Sequence, residues 1–313
     1  MPQQTIAITG ATGFIGGHIM AALLARGDHV QALTRRARPD QAGIRWISGD
    51  MADDDALARL VRGADAVIHC AGLVKARSKT AFFDANADAV ARLLSHVRAE
   101  TPTARVIHLS SLAAREPGLS DYAASKAAGE TILHETSDLL WCGLRPPAVY
   151  GPGDMEILKI FKSLKFGVGF LPGGRAARLS LIHVQDLMAA VLALLDAPQA
   201  SVRGQIFELD DGRPNGYGLA EVYEIAAAIL GRRVHLLPVP ARLLGLIGAL
   251  NQILSRLTGQ APMLTPGKAR ELTHPDWVAQ SPLLNRSGLW DPRIGLQDGL
   301  AETLAWYRHN FLF

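Results

Sequence analysis

Short, nearly continuous apolar runs recur through the first half of the chain about every 25 to 30 residues, with helix-periodic stretches between them. The runs at Thr5–Thr9, Val30–Thr34, Ile44–Ser48, Ala66–Cys70, Arg105–Leu109 and Leu139–Leu144 read as strands. Most lack the apolar–polar alternation of a half-solvated strand, so they predict strands covered on both faces. Gly16–Arg26, stopped by Gly27, and Asn86–Arg98, ended before Pro102, are two of the intervening helices. Strand and helix in alternation predict an α/β fold, a Rossmann-like doubly wound parallel sheet with right-handed crossovers.

After Tyr150 the texture changes. Gly151-Pro152-Gly153 and Phe170-Leu171-Pro172-Gly173-Gly174 bracket one helix, Met155–Lys165. A strand Ser180–His183, a helix Val184–Leu195 and a strand Gln205–Leu209 follow, and are expected to return to the sheet. From Gly212 onward, short helices and proline-punctuated loops predict a smaller, mainly helical lobe. The expected division is a dinucleotide-binding domain over 1–150 with 176–211 rejoining it, and a substrate-binding lobe over 151–175 and 212–313. Within that lobe, Leu243, Ile247, Leu250, Leu254 and Leu257 form one apolar helical stripe, widened by Leu244, Leu246 and Ile253. Arg242, Asn251, Gln252 and Arg256 interrupt it, so the stretch 240–257 is not a membrane span. Packing against the lobe is the simplest reading; a homodimer face or surface association with a membrane are the alternatives.

Length and composition narrow the class. At 313 residues, with 49% hydrophobic and 19% charged residues, the chain can bury a large core. A net charge of +3, with no like-charge run longer than Asp53-Asp54-Asp55, leaves no electrostatic footprint for nucleic acid. Cys70 and Cys142 lie in apolar strand runs without metal-ligand spacing, so no metal is expected and both read as reduced core thiols. The chain runs directly into its first strand with no room for a signal peptide, which points to the cytoplasm.

Candidate chemistry begins at the first strand's end. In Thr9-Gly10-Ala11-Thr12-Gly13-Phe14-Ile15-Gly16 the glycines fall at every third position between a strand and a helix. Gly10 would allow the tight turn, Gly13 the approach of a pyrophosphate to backbone, and Gly16 close packing of helix on sheet. The helix N-terminus would offer free N–H groups to the phosphates. The second strand ends in Thr34-Arg35-Arg36, with threonine where an acid would hold a ribose 2′-hydroxyl. Two arginines there favour a 2′-phosphate, so NADP is preferred over NAD. Asp50, followed by Met51, stands where a carboxylate would accept from an adenine amino group, and Cys70-Ala71-Gly72 supplies small residues for close approach to a cofactor.

Ser110-Ser111 closes the fifth strand, and Tyr122 and Lys126 follow four apart on one helical face. A tyrosine is a poor acid–base group at neutral pH, and an adjacent ammonium lowers its pKa toward usefulness. A serine hydroxyl can hold the substrate oxygen while the tyrosine passes a proton. His183 reads as structural, since no second metal ligand is spaced to join it.

Taken together, these residues resemble the short-chain dehydrogenase/reductase superfamily, in particular its extended branch of epimerases, dehydratases and reductases. Further motifs carry the likeness nearly end to end: Leu144 to Gly153 (LRPPAVYGPG), Ile182 to Asp186 (IHVQD), Asp276-Trp277, Gly299-Leu300 and Trp306-Tyr307. The resemblance implies that Ser111, rather than Ser110, is the catalytic hydroxyl. It also implies that Asn86 lies near the cofactor, that Pro146 to Val149 lie against the nicotinamide, and that an arginine such as Arg178 grips a substrate diphosphate. Lys126 would hold the nicotinamide ribose as well as serve Tyr122. Two departures stand out. Only ten residues separate Ser111 from Tyr122, which suggests a more open site than in many nucleotide-sugar enzymes. Leu112 and Ala113 replace the Asp-Glu pair that dehydratases use, which argues against dehydration. The expected function is hydride transfer at a carbonyl or hydroxyl carbon of a small molecule, with a nucleotide-sugar epimerase and a non-catalytic cofactor-binding subunit as alternatives.

Overall fold

Six of the apolar runs lie side by side as β1 (Thr5–Thr9), β2 (His29–Thr34), β3 (Ile44–Ser48), β4 (Ala66–His69), β5 (Arg105–Leu109) and β6 (Leu140–Arg145). The computed structural model describes residues 3–39, 41–258, 262 and 264–313. The strands form a seven-stranded sheet in the order edge strand Gln205–Glu208, β6, β5, β4, β1, β2, β3. Adjacent pairs from β6 to β3 are parallel, with Ile6 opposite both Val30 and Ala66. The order reverses on either side of β1, so the carboxyl ends of β1 and β4 border the crevice where open α/β sheets take their ligands. Helix α1 (Phe14–Arg26) begins two residues earlier than the sequence pattern suggests, and Gly27 at φ +90 closes it. The helix expected over Asn86–Arg98 is longer and broken. A turn of helix at Lys79–Phe83 widens into a π-turn at Asp84–Asp88, then continues as Ala89–Glu100.

The strand expected at Ser180–His183 does not rejoin this sheet. Leu181–His183 pairs with Ala148–Tyr150 instead, Ile182 opposite Val149. Arg178–Leu179 pairs with Asp276–Trp277 and Tyr217–Gly218. The cause lies at Pro146-Pro147, directly after β6. Proline offers no N–H to a ladder, so the strand cannot continue and the chain leaves the sheet at Arg145.

Two compact units result. The first comprises the chain up to Pro117, Asp121–Arg145 and Met188–Phe207; the second comprises Gly118–Ser120, Pro146–Leu187 and Glu208–Phe313. The break at Arg145 precedes the expected one at 150, and Met188–Phe207 rejoins the first unit where 176–211 was anticipated. Each unit has its own core. Leu57, Val67, Leu93, Val106 and Trp141 belong to one; Tyr150, Phe161, Leu181, Leu300 and Tyr307 to the other. In the first unit, Arg105 donates from Nη1 to the carbonyls of Leu194 and Leu195 and from Nη2 to that of Ala197 (2.7 Å). It thus caps the C-terminus of the helix Val184–Asp196, where carbonyls lack intrahelical partners.

In the second unit, several family-like motifs prove to be framework. Asp186 accepts from the backbone N–H groups of Arg293 (3.0 Å) and Ile294 (2.8 Å). Asp154 caps the helix Ile157–Leu164 through the N–H of Ile157 at 2.9 Å, and Tyr307 donates its hydroxyl to the Asp154 carbonyl.

The helix Ala241–Thr258 departs from the simplest expectation. Leu244, Gly248, Asn251 and Ser255 form its inward face, and a Cβ on Gly248 would lie 2.7 Å from the Thr265 carbonyl carbon. The stripe read as packing against the lobe is instead exposed: Leu243, Leu246, Ile247, Leu250, Ile253 and Leu254 are 40–60% accessible. The side chain of Leu257 lies outside the described residues. No described helix is long and apolar enough to cross a membrane.

Candidate active site

The glycine turn is built by close approach. Gly10 takes φ +73, a conformation that favours glycine, and a Cβ there would meet the backbone of Cys70 and Ala71 at 2.8 Å. A Cβ on Gly16 would lie 2.2 Å from the Gly10 carbonyl oxygen, so α1 can start this near the strand only with glycine. Gly13 caps α1 without any side-chain hydrogen bond, and no acid occupies the first turn. Thr12 and Gly13 are exposed, with Phe14 and Ile15 half-buried behind them. The first N–H groups of α1 therefore face an open, uncharged turn suited to a pyrophosphate.

Beyond β4, Gly72 is hemmed in: a Cβ would lie 2.7 Å from Asn86 Oδ1 and 3.3 Å from Lys126 Nζ. Asn86 is buried and holds both backbone groups of Leu73. Its Oδ1 accepts from the Leu73 N–H (2.9 Å), and its Nδ2 donates to the Leu73 carbonyl (3.0 Å) and to Ser125 Oγ (2.9 Å). Asn86 thus fixes the loop that follows Cys70-Ala71-Gly72.

Ser111 caps the short 3₁₀ turn Leu112–Arg115, its Oγ accepting from the Ala113 N–H at 3.2 Å. Tyr122 stands half-buried near the start of the helix Asp121–His134, with the Phe82 ring 6.1 Å from its own. One turn on, Lys126 is buried and donates to the Leu109 carbonyl at 2.9 Å. Burial lowers its pKa to about 8, while Cys70 and Glu130 act in the opposite direction. It remains mostly protonated at neutral pH, the state that favours a neighbouring phenolate.

Two features beneath the site were not read from the sequence. Ser110 donates to Glu130, which also takes Arg145 through Nε (2.9 Å) and Nη2 (2.6 Å). This cluster ties the end of β5 to β6 and to the helix Asp121–His134, so Ser110 is bound to a carboxylate whereas Ser111 caps a turn. Below lie His69 and His108, stacked at 5.3 Å and buried in β4 and β5. Burial, then the Lys126 charge, takes His69 down to about 3, so it is neutral, with Thr9 Oγ1 2.7 Å from its Nδ1. Burial also holds His108 well below its ordinary range. His69 stands opposite His108 in the parallel register of β4 and β5, a register that the spacing of the two strands in the sequence does not give. Burial pushes the thiols of Cys70 and Cys142 up to about 12, leaving them unreactive.

At the carboxyl end of β2, Thr34 Oγ1 donates to the Arg36 carbonyl (2.9 Å) and accepts from the Arg36 N–H (3.3 Å). That turn presents Arg35 and Arg36, both exposed. Asp50 is exposed, with Oδ1 accepting from the Ala52 N–H at 2.8 Å, and Met51 packs on the first unit's core. Pro146 and Val149 belong to the second unit; Pro146 is buried and Val149 half-buried. Arg178 donates from Nε to the Asn215 carbonyl (3.1 Å) and from Nη2 to that of Gly216 (3.0 Å), so it pins a loop of that unit. The short connection before Tyr122, expected to leave the site open, is tied down. Ser120 donates to Glu271, and Leu119 accepts from Arg270 Nε at 2.8 Å.

Residues 6–209 match the family described as NAD dependent epimerase/dehydratase. The ceramide reductase of Caulobacter vibrioides is 39% identical over 98% of this chain and 95% of its own. The 2-alkyl-3-oxoalkanoate reductase of Stenotrophomonas maltophilia is 28% identical over 96% of this chain and 98% of its own. Among solved structures, the dTDP-glucose 4,6-dehydratase DesIV of Streptomyces venezuelae, with NAD and TYD bound, superposes with a TM-score of 0.70 at 23% identity. It covers 98% of this chain and 97% of that one, and shares the fold.

Proposed function

The chain belongs to the NAD-dependent epimerase/dehydratase family, as an NAD(P)-dependent oxidoreductase of the extended short-chain type, and on that premise we propose that it reduces a ketone carried on a long alkyl chain, using NADPH. The observation that carries the chemistry is Lys126, buried one helical turn from Tyr122 and held by the Leu109 carbonyl. The substrate class is supported by the two relatives, one named for a ceramide and the other for a 2-alkyl-3-oxoalkanoate. Both names describe molecules with hydrocarbon chains.

The glycine turn at Gly10, Thr12, Gly13, Phe14, Ile15 and Gly16 would bind the pyrophosphate. Arg35 and Arg36 would grip the 2′-phosphate, and Asp50 and Met51 would border the adenine. Cys70, Ala71 and Gly72, fixed by Asn86, would line the path toward the nicotinamide. When bound, the nicotinamide supplies a hydride to the carbonyl carbon. Ser111 Oγ donates to the carbonyl oxygen and orients it, and Tyr122 gives that oxygen its phenolic proton, leaving an alcohol. Lys126 stabilises the resulting phenolate, which regains its proton from water.

The epimerase alternative needs a grip on a diphosphate, and the arginine assigned to it, Arg178, already holds two carbonyls. A purely structural subunit would have no use for a buried lysine beneath an ionisable tyrosine. The test is NADPH oxidation by the full chain with a long-chain 3-ketone. Tyr122→Phe should cost at least about 100-fold in kcat while NADPH affinity stays within about twofold. Turnover of a UDP- or dTDP-sugar, with no ketone consumed, would replace this reading by the epimerase.

A further inference from the structure

The helix Ala241–Thr258 has three faces, and the reductase reading uses none of them. One packs inward through Leu244, Gly248, Asn251 and Ser255. At 3.6 residues per turn, Leu243, Leu246, Ile247, Leu250, Ile253 and Leu254 fall together on a second face covering roughly a third of the circumference. All six are exposed. Gln252 and Arg242 belong to the third. A second set of exposed apolar side chains lies on the short parallel pair Val168–Pro172 and His235–Val239, the latter directly preceding the helix. Phe170 lies opposite Leu237, both 48% accessible, while a Cβ at the intervening Gly169 would strike Leu236 and Tyr223 on the covered side. Phe166, four residues earlier, is 85% accessible.

Charge chooses the partner. From residue 225 to residue 270 the chain contains no Asp or Glu and six Lys or Arg. From 157 to 185 it again contains no acid before Asp186, and carries Lys159, Lys162, Lys165, Arg175 and Arg178. Arg232, Arg233, Arg242 and Lys165 are exposed. We propose that this face docks on the surface of a bilayer containing anionic phospholipid, with the helix lying in the interface. An amphipathic helix with leucines on one face and Arg242 beside them, in a protein where no described helix is long and apolar enough to cross a membrane, has the properties of an interfacial anchor. A second copy is a poorer occupant, because a two-fold contact would set the exposed cations of this face against their own copies.

The test uses the full chain without substrate, so its outcome is independent of the substrate reading. Co-sedimentation is measured with vesicles of phosphatidylcholine alone and of phosphatidylcholine with phosphatidylglycerol. The protein should pellet with the anionic vesicles, and less so as salt is raised. The triple variant Leu246→Gln, Leu250→Gln, Ile253→Gln should lose at least about tenfold in vesicle partition while retaining its melting temperature and NADPH binding. Arg233→Glu with Arg242→Glu should abolish the preference for phosphatidylglycerol. If the triple variant melts early, Leu250→Gln alone and the charge variant carry the same comparison. Absence of pelleting, or pelleting equal in all variants, overturns the proposal. A vesicle-free dimer that the triple variant splits assigns the face to a second copy instead.

Discussion

Arg35 and Arg36 reach solvent from a turn that Thr34 locks by two hydrogen bonds to the backbone of Arg36. The turn's rigidity makes the pair a ready anion site, and Arg35→Ala should cut the preference for NADPH over NADH by about tenfold, measured as the ratio of dissociation constants. Equal affinity for the two cofactors in the unaltered protein would refute this. His69 and His108 give a second prediction, in pH. Their folded pKa values lie below the unfolded value of about 6.5, so below that pH the unfolded chain binds more protons and the folded state loses ground. The contribution of His69 is complete above about pH 6.5 and should fall by about 2 kcal/mol at pH 5, and His108 acts in the same direction. Denaturant melts at pH 7 and pH 5 measure it, and His108→Met should make the difference smaller. At this scale the sequence was legible where geometry demands a residue type, as at Gly10 and Gly16. It was silent where polar and charged groups meet in the interior, because nothing in the spacing of Ser110, Glu130 and Arg145 says that three strand and helix ends converge.

Elements were legible wherever apolar runs were long. β1 and β5 match their sequence limits, and β6 ends where Pro146-Pro147 forbids a further ladder hydrogen bond. Leu181–His183 misled because three apolar residues do not specify which strand they pair with, and the prolines had already moved the neighbouring chain out of the sheet. Likewise, periodicity in Ala241–Thr258 identifies an apolar face without saying what covers it. The carbonyl cap at the end of the helix Val184–Asp196 was equally hidden, since Arg105 lies some ninety residues away. Arg105→Met keeps the aliphatic stem but leaves the three carbonyls of Leu194, Leu195 and Ala197 without this donor. It should destabilise the protein by about 2 kcal/mol in denaturant melts, with NADPH affinity unchanged. A loss under about 0.5 kcal/mol would mean that water satisfies those carbonyls.

In the molecule as a whole, two cores are served by one chain that passes back and forth between units. The shortest visit, Gly118–Ser120, leads directly into the helix bearing Tyr122 and is fastened to Glu271 and Arg270. Glu271 also takes Lys268 Nζ at 2.8 Å, and its carbonyl accepts from Trp277 Nε1 at 2.8 Å. Glu271→Ala frees the approach to Tyr122 without touching the dinucleotide turn, so kcat should fall several-fold while the NADPH dissociation constant holds. Parallel losses in both would show that the fastening is merely structural. The change of texture after Tyr150 carried the expected division at 150, whereas a three-residue visit such as Gly118–Ser120 is shorter than any periodic pattern. Five crossings between units also bear on how such a gene can change. A single recombination event exchanges everything on one side of a cut, and no cut separates one unit from the other. New substrate preferences in this lineage should therefore arise by point substitution within the second unit rather than by exchange of a whole segment, and chimeras spliced at one position should inherit fragments of two mismatched cores.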